Sequence, residues 1–277
     1  MAQGPLVFLV TGCSSGIGRA TAEMAASRGH RVFATARDPE SIDGLRAAGA
    51  VETLRLDVTR PDEIRGAIAE IEKEAGRLDV VVNNAGYAQM GPVEDISLER
   101  WRAEFDANFF GTIAVTQAAL PLMRRRHSGT IVNIGSVAGR IAYPFGGAYC
   151  SSKHALEALS DALRLEVERF GIRVVLIEPG PILTRFGERV EREVNEMARN
   201  PDSPYHDVYD AAFTRFRKES RNGAAPPEAV ARAVLKAAEA KRPSARYAVT
   251  AFAKVFLFAR RLVPDALMDA VMRAKFR

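Results

Sequence analysis

The sequence predicts an α/β fold: a doubly wound parallel sheet of about seven strands, covered by helices on both faces. Three observations predict it. Short β-rich runs alternate with longer helical stretches along the 277 residues, the pattern of successive strand–helix units joined by right-handed crossovers. Several of the runs, such as VVLI at 174–177, are continuously apolar, which marks strands buried on both faces. A glycine-rich turn, TGCSSGIG at 11–18, joins the first run to the first helical stretch. No Pro/Gly-rich linker divides residues 1–180 and no repeat occurs, so residues 1–277 are read as one domain.

In chain order, LVFLVTG (6–12) is the first strand, and a helix follows over about residues 16–27. RVFATA (31–36) and VETLRLDV (51–58) are the second and third strands, and residues 62–75 are helical. LDVVVNNAG (78–86) is the fourth strand with its exit, followed by a long helical pattern over 98–126. GTIVNIGS (129–136) is the fifth strand, residues 149–169 a helix, and IRVVLIEPG (172–180) the sixth strand. Residues 226–240 are helical, and ARYAVT (245–250) is the seventh strand. Residues 184–225 lack a strand signal and follow strand six, whose end faces the ligand crevice of such a sheet. That segment is read as a helical substrate lid. Pro264 divides the tail, 251–277, into two helices.

Composition narrows the function. Hydrophobic residues make up 47% and charged residues 26%, as in soluble globular proteins. The start lacks the basic region of a secretory signal, and no stretch approaches the ~20 apolar residues that span a bilayer. Two cysteines, Cys13 and Cys150, offer neither a disulfide framework nor metal-ligand spacing, so a cytoplasmic location is expected and no metal. Residues 241–277 carry nine Lys or Arg against two Asp, a net +7, so the other 240 residues sum to −2 of the total +5. The body therefore gives no support to nucleic-acid binding.

Gly12, Gly16 and Gly18 allow a tight turn and close backbone approach to a phosphate, which free N–H groups at the helix start can bind. The spacing is GxxxGxG, and no Lys-Ser/Thr pair follows as in a P-loop. The second strand should end beside an adenosine ribose, where NAD binders often place an acid. Here it ends ATARD, with Ala36, Arg37 and Asp38. Arg37 can pair with a 2′-phosphate and Ser14 can add a hydroxyl, so NADP(H) is favoured and NAD(H) stays compatible. In YCSSK, Tyr149 and Lys153 share one helical face. At ~6 Å and an effective dielectric of ~20, an ammonium favours a phenolate by about 2.8 kcal/mol. That moves a phenol from about 10 toward about 8.

Taken together and in order, TGCSSGIG, NNAG (83–86), Asn108, Ser136, YCSSK and PGPILT (179–184) resemble the short-chain dehydrogenase/reductase family over roughly the first 185 residues. ATARD, VETLRLDV, YCSSKHALE and RY near strand seven are most similar to its 17β-hydroxysteroid and retinol dehydrogenases. The resemblance implies a Rossmann fold and hydride transfer between a nicotinamide and an alcohol or carbonyl carbon. It implies Tyr149 as proton donor and acceptor, Lys153 on the nicotinamide ribose, Ser136 orienting the substrate oxygen, and Asn108 holding a relay water. It also implies cofactor contacts from Gly12, Ser14, Ser15, Gly16, Ile17, Gly18, Asp57, Asn84, Gly86, Pro179, Gly180, Ile182 and Thr184, and a homodimer or homotetramer built through the helices at 98–126 and 149–169.

Met90, Ile141, Tyr143, Phe145 and Phe186 offer an apolar substrate pocket suited to a steroid, retinoid or fatty carbonyl. A 3-oxoacyl thioester reductase is the alternative enzyme reading, and a non-catalytic NADP(H)-binding regulator the reading of another class. The basic amphipathic tail fits packing on the body, a dimer contact, or peripheral contact with an anionic membrane; packing is the favoured expectation.

Overall fold

The computed structural model describes residues 4–185, 187, 190, 194, 201–207, 209 and 224–276. Seven strands form one all-parallel sheet: β1 (Val7–Val10), β2 (Arg31–Ala36), β3 (Val51–Arg55), β4 (Val80–Asn83), β5 (Gly129–Ile134), β6 (Ile172–Glu178) and β7 (Arg246–Ala248). Their order is β3-β2-β1-β4-β5-β6-β7, with the reversal between β1 and β4 that opens a ligand crevice at the strand C-termini.

The helices are α1 (Gly16–Ser27), α2 (Pro61–Ala75), α3 (Leu98–Phe105), α4 (Gly111–Arg125), α5 (Gly147–Val167), α6 (Pro227–Glu239), α7 (Ala251–Arg260) and α8 (Asp265–Phe276). Alternate strand residues feed two cores. Phe8, Val10, Val32, Val82, Val132, Val175 and Ile177 meet Ala22 and Ala25 of α1 and Val230 and Val234 of α6. Val7, Leu9, Phe33, Val81, Ile131 and Val174 meet Ile64 and Ile71 of α2, Val115 and Leu122 of α4, and Leu163 of α5. Each buried Val, Leu, Ile or Phe side chain contributes about 1.5–3 kcal/mol, which is why the strands read as unbroken apolar runs.

Three features depart from the pattern reading. Residues 39–48 form a 3-10 helix capped by Asp38. The stretch expected as one helix over 98–126 contains a π-helical turn, Asp106–Phe110, between α3 and α4, a distortion that recurs at functional sites. The excursion after β6 is closed at its base, where Leu183 N donates to Ala225 O at 2.9 Å and Ala225 N to Pro181 O at 3.1 Å. Most of the segment read from the sequence as a lid, including Phe186, lies outside the described residues.

Candidate active site

Ser136 follows β5 and Tyr149 stands in the first turn of α5, where their hydroxyls hydrogen-bond. Ser136 Oγ also accepts from Ala138 N at 3.1 Å, which fixes it at the strand end. One turn on, Lys153 is buried and its Nζ donates to Ile134 O at 2.9 Å, lying 5.8 Å from the Tyr149 ring centre. An ammonium has three hydrogens, so the bond to Ile134 leaves two for other partners.

The expected depression of the Tyr149 phenol by Lys153 does not hold among these groups. Burial pushes the phenol well above its usual value, the Ser136 bond offsets this in part, and the Glu104 charge adds to the rise. Burial also draws Lys153 down from 10.5 to about 8, against an opposing pull from Glu104. Desolvation disfavours the charged form of each and is the largest cause of both shifts.

Asn108 sits in the π-helical turn, almost fully buried. Its Oδ1 accepts from Tyr87 N at 3.0 Å, and its Nδ2 donates to Tyr87 O at 2.8 Å, Glu104 Oε1 at 3.1 Å and Ser152 Oγ at 3.1 Å. The side chain therefore ties the loop after β4 to α5 and makes no direct bond to Lys153 among the described residues. Glu104, in α3, is fully buried and also accepts from Gln89 N at 3.0 Å. The sequence reading did not single it out: a glutamate on an amphipathic helix looks like a solvated residue until α5 packs over it.

Gly12 has φ +71°, and a Cβ there would stand 2.9 Å from Ala85 Cα. A Cβ at Gly18 would run into the Gly12 carbonyl oxygen. Ser14, Ser15, Gly16 and Ile17 are exposed or half-buried, and the Ser15 side chain caps no helical N–H, leaving the N-terminus of α1 open to an anion. Thr184 packs beside Gly16, where its Cγ2 would lie 2.9 Å from an added Cβ. The Asn84 side chain donates to Thr11 O at 2.8 Å and Gly12 O at 3.1 Å, so it braces the turn from behind. Asn83 ties β4 to Asn133 and Thr116. Gly86 is exposed and borders Asn108. Asp57 caps its own turn, accepting from Thr59 N and Oγ1 on Oδ1 at 2.9 and 2.8 Å. Pro179 O accepts from Val137 N at 3.0 Å, Gly180 borders Thr250, and Ile182 packs on the core. Arg37 is exposed with no ion pair among the described residues, while Asp38 accepts from Glu40 N at 3.1 Å. A tight glycine turn with open helix N–H groups, an unpaired arginine at the β2 end and a Ser–Tyr–Lys cluster fit a dinucleotide whose nicotinamide end lies near Tyr149.

The apolar residues divide into two groups. Met90, Ala88, Val190, Val194 and Tyr209 form a buried cluster with Tyr143, Tyr149 and Tyr205 packed on it. Phe145, at φ +65°, stands 6.2 Å from Tyr205 and 6.4 Å from Tyr209 between ring centres. Ile141 faces elsewhere, packing with Val137 against Ala253 of α7. Met90 and Ile141 are almost fully buried and offer no open lining. Cys150 is buried and its thiol is pushed up to about 11, as suits a packing residue.

The family profile described as short chain dehydrogenase matches residues 6–195. A 3-ketodihydrosphingosine reductase of Bacteroides thetaiotaomicron is 37% identical over 97% of both chains. An NADPH-dependent 3-dehydrocapnine reductase of Ornithobacterium rhinotracheale is 37% identical over 95% of this chain and 94% of its own. The 17-beta-hydroxysteroid dehydrogenase type 1 of Homo sapiens is 37% identical over 88% and 77%. A solved short-chain dehydrogenase/reductase from Burkholderia phymatum, in complex with NAD, superposes with TM-score 0.80 at 27% identity, covering 93% of this chain and 92% of that one. The chain belongs to the short-chain dehydrogenase/reductase family and is an oxidoreductase acting on CH–OH and carbonyl groups.

Proposed function

We infer that this enzyme interconverts a carbonyl and an alcohol on a lipophilic substrate, with NADP(H) as the preferred cofactor and reduction as the favoured direction. The observation that carries the reading is the setting of Tyr149: a phenol bonded to Ser136, packed on an apolar cluster of Met90, Tyr143 and Tyr209. The Gly12–Gly18 turn and the N-terminus of α1 would hold the diphosphate, and Arg37 would pair with a ribose 2′-phosphate. Asp38 caps the 3-10 helix through Oδ1, and the neighbouring Arg37, with no ion pair among the described residues, favours a phosphorylated ribose. When bound, the nicotinamide supplies or accepts the hydride at the reacting carbon.

The remaining chemistry belongs to this chain. Ser136 Oγ and Tyr149 Oη together receive the substrate oxygen. Burial keeps the Tyr149 proton in place at neutral pH, so Tyr149 Oη donates to the oxygen during reduction; the reverse transfer serves oxidation. Lys153, still mostly protonated near pH 7, directs its free N–H groups to the ribose hydroxyls and favours the phenolate that forms. General acid catalysis of this kind contributes roughly 10²–10⁴-fold to rate. The relatives that reduce 3-ketodihydrosphingosine and 3-dehydrocapnine support a long-chain ketone.

The test is NADPH and NADH oxidation against a panel of long-chain and steroid ketones. A preference for NADPH with a lipophilic ketone is expected. Turnover confined to small polar carbonyls, or to NADH, overturns the reading.

A further inference from the structure

Six of the large apolar side chains that the fold leaves exposed lie in the last two helices and the turn between them. Val255 and Phe258, one turn apart on α7, are 70% and 66% exposed, and Leu262 continues the row at 70%. Leu267 and Val271 are exposed on one face of α8, at i and i+4. The opposite face of α7 is spoken for: Ala253 is fully buried, and with Phe256 and Leu257 it packs on Val137 and Ile141, directly after Ser136. The α7 segment and its turn, 251–264, carry Lys254, Arg260 and Arg261 and no acid. Lys254 and Arg261 are exposed beside the apolar row, and Arg273 is exposed on α8. Arg260 alone of these turns to a carboxylate, pairing with Asp265 at 2.8 Å.

We propose that the outer face of α7 and α8 docks on an anionic lipid bilayer, with Val255, Phe258, Leu262 and Leu267 entering the interface and Lys254 and Arg261 meeting the headgroups. The chemistry chooses the occupant. An apolar row flanked by cations matches the acyl boundary and anionic surface of a membrane. No described helix is long and apolar enough to cross a membrane, so the contact is peripheral. Because the inner face of α7 packs on the residues after Ser136, the docked helix stands between the bilayer and the active site.

Co-sedimentation of the full chain with vesicles tests this without any substrate, so its outcome is separate from that of the proposed activity. Vesicles of 30% phosphatidylglycerol in phosphatidylcholine should bind the chain, pure phosphatidylcholine should bind it much less, and high salt should weaken the binding. Each surface cation contributes about five-fold to partitioning, so the pair Lys254→Gln and Arg261→Gln should lose roughly 25-fold. Phe258→Ser with Val255→Ser should lose at least tenfold, while circular dichroism and the thermal unfolding midpoint stay unchanged. Absence of binding to the anionic vesicles overturns the proposal. So does a Phe258→Ser chain that sediments as a smaller oligomer while its vesicle binding is intact, since that result assigns the face to a second copy.

Discussion

Glu104 gives the sharpest test of how the site is held. The substitution Glu104→Gln keeps the shape and removes the charge. Both carboxylate oxygens now accept: Oε2 from Gln89 N at 3.0 Å and Oε1 from Asn108 Nδ2 at 3.1 Å. A glutamine offers one acceptor and one NH2, so whichever way the amide turns, one donor faces another donor. One hydrogen bond to a charged acceptor is lost, about 1.5–3 kcal/mol. At about 2–4 °C per kcal/mol, Tm falls by roughly 3–12 °C, with relief of the buried charge favouring the lower end. The second consequence is electrostatic. Glu104 opposes the burial that draws Lys153 down to about 8, so its removal lowers the Lys153 value further. The ammonium is then lost at lower pH, and the alkaline limb of the kcat/KM profile moves down. Thermal unfolding, together with kcat/KM measured across neutral and alkaline pH, reads both effects. A Glu104→Gln enzyme with unchanged Tm and an unmoved alkaline limb would refute the positioning argument.

Other outcomes follow from the same contacts. Tyr149→Phe should bind NADPH with near wild-type affinity, read by fluorescence titration, and lose turnover by roughly 10²-fold or more; equal turnover removes Tyr149 as the proton donor. Arg37→Ala should raise KM for NADPH and leave KM for NADH nearly unchanged. Gly18→Ala, whose Cβ would meet the Gly12 carbonyl and lie 2.5 Å from Asn84 Nδ2, should weaken dinucleotide binding at least tenfold and cost about 1–3 kcal/mol of stability. Glu178, raised by burial and then by Glu157 from its ordinary 4.5 to about 7, holds a proton in the folded chain that the unfolded chain releases. Its contribution is fully present below about pH 4.5 and is lost as pH rises through about 7. Denaturant unfolding at several pH values should show that slope, and Glu178→Gln should flatten it.

The sequence by itself determined the strands and the glycine turn, and it singled out the serine, tyrosine and lysine that the fold gathers at one strand end. Unbroken apolar runs have few homes other than a sheet covered on both faces, and glycines at tight backbone approaches have no substitutes, so both are written locally. The pairing of Tyr149 with Lys153 is local too, one helical turn apart. Only the tertiary structure decided what surrounds them. Asn84 turns inward to brace Gly12, and Asp38 serves as a helix cap. Ile141 leaves the expected pocket wall for α7, Glu104 lies fully buried under α5, and burial raises the Tyr149 phenol that the Lys153 charge was expected to lower. Each of these depends on segments distant in sequence meeting in space, and on desolvation, which spacing along a chain does not encode.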